Sequence, residues 1–375
     1  MRTIGCVVST GIKVAEWVWE SASAGARVAR IALAPASALF SAVVSSRNAR
    51  FDEALSGATG VSYRVRQTIL PAISVGNLTV GGTGKTPVAA WCVRELRKRG
   101  AKPAIVLRGY GDDEWRVHTL LNPGVPVIVA KDRLMGIAQA SANGADCVVL
   151  DDAFQHRKAS RRADIVLMSA DRWTGVARLL PSGPFREPMS ALRRATAVVI
   201  TAKAASVEQI AVLERAIRAA TPDSPICVVR LVLGPLRLAT SIPTPDPDGT
   251  LRGRRLDQSE LLDRKLEWVT GRKLIAVSAI GDPASFLAQL HAAGAVVTHL
   301  RFSDHHAFST GEAEAIARSA EGTDGVICTL KDAVKLGPRW PRVAPPLWYV
   351  SQQVVVERGA SALDRALARV LVSPT

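Results

Sequence analysis

The sequence has few cysteines, few aromatic residues and too little acidic charge to balance its basic residues. Only five cysteines occur among 375 residues and none forms a C-x-x-C pair, which argues against a zinc ribbon, a redox dithiol and a disulfide framework. Aromatic residues make up 5%, too few to suggest base stacking on nucleic acid. Because 48 basic residues outnumber 33 acidic ones, we expect an anionic partner and favour a phosphorylated ligand and a membrane surface over nucleic acid.

Length and composition indicate a globular protein with more than one domain. Hydrophobic residues make up 48% and charged residues 22%, which excludes global disorder. At about 150 residues per domain, the length predicts two or three domains. The hydrophobic pattern predicts apolar N-terminal helices in residues 1–50, an α/β core in 51–232, a proline-rich linker or β-ribbon in 233–273 and a second α/β lobe in 274–375.

The N-terminal region contains no hydrophobic run of bilayer-spanning length. The uncharged run 31–46 is shorter than the ~20 residues of a transmembrane helix, and we expect Pro35 to interrupt it. Lys13, Glu16 and Glu20 fall where the apolar core of a signal peptide would lie. Arginines frame the run on both sides: Arg27, Arg30, Arg47 and Arg50. This pattern favours helices that rest at a lipid interface, with a helix pair packed on the protein's own core as the alternative.

A glycine-rich segment lies between a strand pattern in residues 69–75 and a helix pattern that begins at Pro87. Strand, glycine-rich loop, Lys-Thr and helix is the order of a phosphate-binding P-loop, although Thr79 stands where the first glycine is usual. In such a loop Lys85 reaches the β- and γ-phosphates and the Thr86 hydroxyl faces Mg²⁺. An ordinary glycine-rich turn is the alternative. The candidate nucleotide-binding residues are Thr79, Val80, Gly81, Gly82, Thr83, Gly84, Lys85 and Thr86.

Two adjacent carboxylates end a second buried strand pattern, residues 145–150. Asp151 and Asp152 follow it directly, and carboxylates at the end of a strand beside a P-loop are placed to hold Mg²⁺. The alternative is that Asp151 caps the next turn of the chain. The sequence therefore favours a magnesium site at Asp151 and Asp152.

Two further strand ends carry groups suited to proton transfer. Asp112 and Asp113 follow the strand and glycine turn of residues 105–111, where a carboxylate can accept the proton of an attacking hydroxyl. A solvated acidic turn fits that segment equally well. Asp304 and His305 close the strand pattern 295–301, where a structural histidine pair is the alternative to a catalytic role.

Residues 157–194 hold nine basic residues against three acidic ones and include a rigid Pro- and Gly-rich loop, 179–188. The loop suits the lining of an anionic acceptor site, and a solvated basic face is the alternative. Guanine-binding proteins usually carry an [NT]-K-x-D step, which neither Thr201-Ala-Lys203 nor Thr329-Leu-Lys331 matches. A membrane-bound P-loop GTPase or ATPase switch, or a non-catalytic binding protein, remains the alternative to an enzyme.

Together these motifs resemble the tetraacyldisaccharide 4'-kinases, the lipid A 4'-kinases of Gram-negative bacteria, over about residues 25–350. In that family the Thr79 position is part of the pattern. The matching segments, in order, are residues 75–87, 108–111, 151–156, 180–188, 304–306 and 329–335.

The resemblance implies an α/β fold in which a P-loop NTPase-like α/β/α lobe and a smaller α/β/α lobe are joined by a β-ribbon, with membrane-associated helices at the N-terminus. It implies transfer of the ATP γ-phosphoryl group to the 4'-hydroxyl of a tetraacylated glucosamine disaccharide 1-phosphate, late in lipid A biosynthesis. The implied cofactors are ATP and Mg²⁺. The implied partners are the anionic lipid substrate and the inner-membrane surface, on its cytoplasmic face, with no nucleic acid and no obligate protein partner.

The resemblance also implies site residues. Lys85 acts in catalysis, and Thr86, Asp151 and Asp152 hold the metal ion. Asp113 matches the catalytic aspartate, although the short stretch before it leaves the choice between Asp112 and Asp113 open. The implied partner of the aspartate is His305, oriented by Asp304, and the implied substrate-binding residues are Arg133, Arg186 and Glu187.

Overall fold

The computed structural model describes residues 10–55, 65–109, 113–242, 244–245, 251–252 and 263–371. Asp112 lies outside these residues, as does most of the segment 243–262, which is part of the predicted linker or β-ribbon of residues 233–273. The strands are β1 (Ala72–Asn77), β2 (Pro103–Leu107), β3 (Val127–Val129), β4 (Cys147–Asp151), β5 (Ala163–Ser169), β6 (Ala197–Ala202), β7 (Ile226–Leu238), β8 (Thr244–Pro245), β9 (Leu251–Arg252), β10 (Lys273–Ser278), β11 (Val296–Arg301), β12 (Gly325–Thr329) and β13 (Leu347–Arg358).

After a helical N-terminal region, each α-helix that the structure describes directly follows a strand. The α-helices are α1 (Thr10–Glu20), α2 (Ala24–Leu55), α3 (Lys85–Lys98), α4 (Glu114–Leu121), α5 (Arg133–Ala142), α6 (Val207–Ala220), α7 (Pro283–Ala292), α8 (Thr310–Ser319), α9 (Leu330–Leu336) and α10 (Ala360–Leu371). The α/β class is as predicted. Parallel strands need long crossover connections, and helices supply most of them.

The chain divides into two compact units. The P-loop unit comprises the described residues between 10 and 109, 118 and 231, and 354 and 371. The second unit comprises residues 113–117 and the described part of 232–353. The sequence division placed all of 274–375 in one lobe, whereas the structure groups α10 with the P-loop unit. The reason is packing, since α10 lies on α3 and β5 and buries its apolar face, which includes Leu363 and Leu367.

In the P-loop unit the parallel strands follow the order β7-β6-β5-β1-β4-β2-β3. β1 lies between β4 and β5, with Val75 opposite Asp151 on one side and Ile165 on the other. Every residue of β1 and β4 is buried, which fits their mainly apolar sequence. The buried polar exceptions are Ser74 and Asn77 in β1 and Asp151 at the end of β4. The carboxyl ends of these strands meet at one edge, where ligands bind in open α/β sheets.

In the second unit the strands β11, β10, β12 and β13 are parallel in that order. The core around them includes Leu274, Phe286, Leu290, Ile327 and Trp348. The segment after β12 is the short helix α9. The Thr329 side chain accepts a hydrogen bond from the Asp332 N–H and so caps this helix.

Helix α2 is longer than the sequence predicts. It runs unbroken through Pro35, so the expected interruption there is wrong. A proline removes one intrahelical hydrogen bond without necessarily ending a helix. Residues 24–53 form one helix long and apolar enough, by length and composition, to cross a membrane, with a mean hydropathy of 1.7 over an 18-residue stretch of it.

Candidate active site

The glycine-rich loop follows β1 and ends at the first residues of α3. Gly84 precedes the helix with a φ of 85°, a left-handed conformation that side-chain-bearing residues rarely adopt. The Asn77 side chain donates a hydrogen bond of 2.7 Å to the Thr83 hydroxyl and ties the loop to its own strand. Lys85 and Thr86 therefore start the helix, where backbone N–H groups and the helix dipole favour a phosphate.

The Pro- and Gly-rich loop predicted near the acceptor lies against the phosphate loop. The Val80 N–H donates to the Pro184 carbonyl at 2.9 Å, and the Arg186 N–H donates to the Leu78 carbonyl at 2.7 Å. These two backbone bonds fix the position of residues 180–188 relative to the glycine-rich loop. Arg186 is thereby brought to the edge of the phosphate site.

Asp152 is the centre of an ion-pair group. Its Oδ1 atom lies 3.7 Å from the Lys85 ammonium nitrogen and 2.9 Å from an Arg186 guanidinium nitrogen. Burial by itself raises the pKa of Asp152, but Lys85 and Arg186 outweigh it and hold the pKa of this carboxyl below its usual value. Asp152 is therefore ionised and orients both cations beside the loop.

Asp151 is 6% exposed and occupies the last position of β4. Its Oδ2 atom lies 2.8 Å from Nε2 of His118, a histidine with no exposed surface. Its Oδ1 atom is buried and has no hydrogen-bond partner among the described residues. A buried carboxylate oxygen left unpaired costs free energy unless a ligand satisfies it. Asp151 and the hydroxyl of Thr86 supply hard oxygen donors, so these residues fit Mg²⁺.

The three proposed substrate-binding residues occupy different surroundings. Arg186 lies at the phosphate loop, as described. Glu187 is 2% exposed and accepts hydrogen bonds from Arg194 at 2.6 Å and from Asn48 of α2 at 2.9 Å. Arg133, also 2% exposed, begins α5 and donates to the Ala130 carbonyl at 2.8 Å.

Positively charged side chains lie near His156, which follows Asp151 and Asp152 in the sequence. Burial, together with the positive charges of Arg133 and Arg161, lowers the pKa of His156 to about 4. His156 is therefore neutral at physiological pH in a strongly cationic neighbourhood. Such a neighbourhood suits an anionic ligand.

In the second unit, Asp113 and His305 come together from distant parts of the chain. Nδ1 of His305 lies 3.7 Å from Oδ1 of Asp113, and its Nε2 lies 3.9 Å from Oδ1 of Asp304. Hydrogen bonding with Asp113 raises the pKa of His305. Burial raises the pKa of Asp113, but His305 and Lys335 more than reverse this, so the pKa of Asp113 lies below its usual value. The pair has the composition of a general base and its supporting histidine.

Lys335 is a further member of this group, and no motif in the sequence marks it as part of a site. Its ammonium nitrogen lies 3.9 Å from Oδ2 of Asp113 and 3.6 Å from Oδ1 of Asp332. Asp332 is fully buried and accepts a hydrogen bond from the Ala279 N–H at 3.2 Å. Residues three apart on a helix are neighbours on its surface, so the spacing of Asp332 and Lys335 is the sequence feature that could have revealed this pair.

His118 also received no role from the sequence. It lies on α4 and has no neighbouring residue in the sequence that marks it as part of a site. Only the pairing with Asp151, 33 positions further along the chain, reveals it. No periodicity encodes that contact.

A glycine-rich loop between a central parallel strand and a helix, a lysine at the helix start and a carboxylate on the neighbouring strand define a P-loop nucleotide-binding protein. The chain belongs to the LpxK family, whose model, described as tetraacyldisaccharide-1-P 4'-kinase, matches residues 29–372. The resemblance predicted from the motifs is thereby confirmed.

Relatives with this name match along most of their length. The tetraacyldisaccharide 4'-kinase of Anaeromyxobacter sp. (strain K) is 36% identical over 366 residues, which cover 90% of each chain. That of Geobacter sulfurreducens is 32% identical over 381 residues, covering 94% of this chain and 96% of the relative. The crystal structure of the "apo" form of LpxK from Aquifex aeolicus in complex with ATP matches with a TM-score of 0.65 at 24% identity, over 92% of this chain and 99% of that one. This match shows a shared fold.

Proposed function

We infer that the protein transfers the γ-phosphoryl group of ATP to the 4'-hydroxyl of a tetraacylated glucosamine disaccharide 1-phosphate, a late step of lipid A biosynthesis. Membership of the LpxK family and the names of its relatives support this activity. The observation that carries it is the position of Lys85, at the start of α3 and 3.7 Å from Asp152. This is the arrangement with which P-loop enzymes neutralise the charge of a nucleotide.

For the nucleotide we propose that the loop Thr79–Gly84 binds phosphate oxygens through its backbone N–H groups, while Lys85 contacts the β- and γ-phosphates. Thr86 and Asp151 would hold Mg²⁺, with Asp152 beside them. The ion would neutralise phosphate charge in the transition state. Asp152 keeps Lys85 and Arg186 directed at the loop through its two ion pairs.

For the acceptor we propose that Asp113 takes the proton of the 4'-hydroxyl and that His305 supports it. The lowered pKa of Asp113 keeps its carboxylate ionised and so free of the proton that it must accept, and the raised pKa of His305 favours the charged imidazolium beside it. Phosphoryl transfer depends mainly on positioning and charge neutralisation, so this proton transfer is the smaller contribution.

For the charged groups of the lipid we propose Arg133, Arg186 and Glu187 as binding residues. The support is unequal among them. Arg186 borders the phosphate loop through its bond to Asp152. Glu187 is held by Arg194 and Asn48, so we expect it to act by fixing the segment that carries Arg186.

We propose further that α2 lies on the cytoplasmic surface of the inner membrane and does not cross it. Its exposed apolar residues Val28, Ile31, Leu39 and Val43 are 60–73% exposed and, at 100° per residue, share one face. The opposite face is bonded to the P-loop unit. A spanning helix would be surrounded by lipid, whereas one apolar face with flanking arginines is typical of an interfacial helix.

The bonds on the inner face of α2 reach the residues around the phosphate site. The Ser37 hydroxyl is 2.8 Å from that of Ser182, and Arg157 donates to the Asn48 carbonyl at 2.9 Å. Arg47 bonds the Gln155 carbonyl. We propose that this face fixes α2 to the enzyme while the outer face contacts lipid.

A P-loop switch protein at the membrane is the rival function. It would hydrolyse or exchange its nucleotide without a lipid acceptor. Among the described residues, the carboxylate of Asp171 follows β5 and accepts hydrogen bonds from the backbone N–H groups of Lys203, Ala204 and Ala205. Both of its oxygens are used in this way, which disfavours guanine recognition by this group.

The deciding experiment incubates the purified chain with γ-labelled ATP, Mg²⁺ and a tetraacylated disaccharide 1-phosphate in mixed micelles. We expect label in a bisphosphorylated lipid, little transfer from GTP, and loss of transfer in Lys85→Met. Nucleotide hydrolysis that is independent of lipid, with no labelled lipid, would instead identify the switch protein.

A further inference from the structure

The chain segment after β6 contacts the phosphate loop, although β6 is not a neighbour of β1. The strand order is β6-β5-β1, so contact must cross the end of β5. Two side chains make that contact, Thr201 near the end of β6 and Lys203 just after it. The sequence alone offered no role for either of them.

Both side chains donate hydrogen bonds to backbone carbonyls of the loop. The Thr201 hydroxyl is 2.9 Å from the carbonyl oxygen of Thr83, and Thr201 is only 1% exposed. The Lys203 ammonium is 3.1 Å from the carbonyl oxygen of Gly82. Two successive peptide groups of the loop are thus held from the same side.

The segment that carries these donors is itself fixed by Asp171, which follows β5. Oδ2 of Asp171 accepts from the Lys203 N–H at 2.8 Å. Its Oδ1 accepts from the N–H groups of Ala204 and Ala205, each at 2.8 Å. Three charge-assisted hydrogen bonds make this turn a rigid support for the Lys203 side chain.

The direction of the Gly82 and Thr83 carbonyls matters for an anion. A carbonyl oxygen that faced the phosphates would repel them, whereas a carbonyl bonded elsewhere leaves the N–H groups of the loop to face the ligand. Lys203 also brings a positive charge to the loop. Preorganised donors bind an anion without first rearranging, which improves affinity.

We propose that Thr201 and Lys203 are nucleotide-positioning residues, which hold the Gly82 and Thr83 carbonyls turned away from the triphosphate. The inference rests on the proposed function in that the loop binds the phosphates of ATP. It adds two side-chain hydrogen bonds to the loop, from Thr201 and Lys203, which both lie outside the P-loop motif. Neither residue is expected to contact the lipid acceptor.

The test measures the affinity of a non-hydrolysable ATP analogue for the full chain without lipid, and the KM for ATP, the KM for lipid and kcat with lipid. We expect Lys203→Met to weaken analogue binding about tenfold or more, and Thr201→Val by a smaller factor of about threefold to tenfold. In each variant the KM for ATP should rise in parallel with the loss of analogue affinity. The kcat at saturating ATP and the KM for lipid should change less than about twofold.

Conservative variants distinguish the loss of these two hydrogen bonds from a general effect on folding. Thr201→Ser keeps the hydroxyl and should restore analogue affinity, and Lys203→Arg should restore it in part. Lys98→Met is the matched control, because the Lys98 side chain is 70% exposed and pairs with its neighbour Glu95 on the surface of α3. It should bind the analogue like the unchanged chain.

Analogue affinity within twofold of the unchanged chain in both Lys203→Met and Thr201→Val overturns the proposal. So does a fall of kcat at saturating ATP without a change in analogue affinity. Failure of the proposed function looks different, since the unchanged chain would then bind the analogue yet transfer no phosphoryl group to lipid, or would not bind it at all.

Discussion

His305 reaches Asp113 across 192 positions of sequence, with Nδ1 of the imidazole 3.7 Å from Oδ1 of the carboxylate. The backbone of His305 has a φ of 59°, which a non-glycine residue rarely adopts, and its N–H donates to the Ala279 carbonyl at 3.2 Å. An uncommon backbone conformation held by the surrounding structure is typical of functional sites. The relationship therefore makes the pair the first target for mutagenesis.

We expect Asp113→Asn to lower kcat about 10²- to 10⁴-fold, the usual contribution of a general base. Affinity for an ATP analogue should be unchanged, because the substitution leaves the P-loop unit intact. His305→Gln should produce a smaller loss of kcat. Kinetics with lipid and analogue binding without it check both statements. An Asp113→Asn variant with full turnover would assign the base to another residue.

Lys335→Met should change the pH dependence of kcat. In the proposed mechanism the ionised form of Asp113 is the base, so activity should fall as pH drops through the pKa of Asp113. Lys335 lowers that pKa, and its removal raises it, so the acid limb of the kcat profile should move to higher pH. Lys335→Arg should retain the original profile. A pH profile of Lys335→Met that coincides with the unchanged chain would show that the ammonium does not act on Asp113.

Lys85→Met should reduce phosphoryl transfer by about 10²-fold or more, because it removes the charge that we propose acts on the transferring group. The substitution also leaves the partly buried carboxylate of Asp152 with one fewer cation. The pKa of Asp152 should therefore rise. Initial rates with labelled ATP test the first statement, and thermal unfolding in the absence of nucleotide shows whether the fold is retained. Transfer at an unchanged rate would place the phosphates elsewhere.

His118→Ala should weaken binding of a divalent cation about tenfold to hundredfold, since partners behind a metal ligand have effects of this size. His118→Gln places an N–H donor near the same Oδ2 atom of Asp151 and should recover part of the affinity. Direct titration with Mn²⁺, followed by electron paramagnetic resonance in the presence of an ATP analogue, measures this without turnover. Equal Mn²⁺ affinity in His118→Ala would limit His118 to the packing of α4.

Ile31→Asp with Leu39→Asp should reduce binding to anionic lipid vesicles, because both side chains are on the exposed apolar face of α2. Activity on a water-soluble acceptor analogue should be retained. Val343→Asp is the control, since Val343 is 99% exposed and lies in the second unit. Vesicle sedimentation compares the three proteins. Unchanged vesicle binding in the double variant would reject the exposed face as the membrane contact.

Local sequence determined much of the P-loop unit. The apolar runs before Gly76 and Asp151 produce buried parallel strands, the glycines permit a tight phosphate loop, and Lys85 and Thr86 fall where a helix begins. These features follow from backbone sterics and burial, which act over a few residues. The same short-range signals carried the family resemblance, which the comparison with known proteins confirms.

Only the tertiary structure decided which distant groups meet. It pairs Asp113 with His305, Asp151 with His118, and the Gly82 and Thr83 carbonyls with the segment after β6. It also carries α2 through Pro35 and bonds one face of that helix to the P-loop unit. Such contacts depend on strand order and helix packing, which are set by burial across the whole chain. They produce no hydrophobic periodicity in the sequence around either partner, so a local pattern does not predict them.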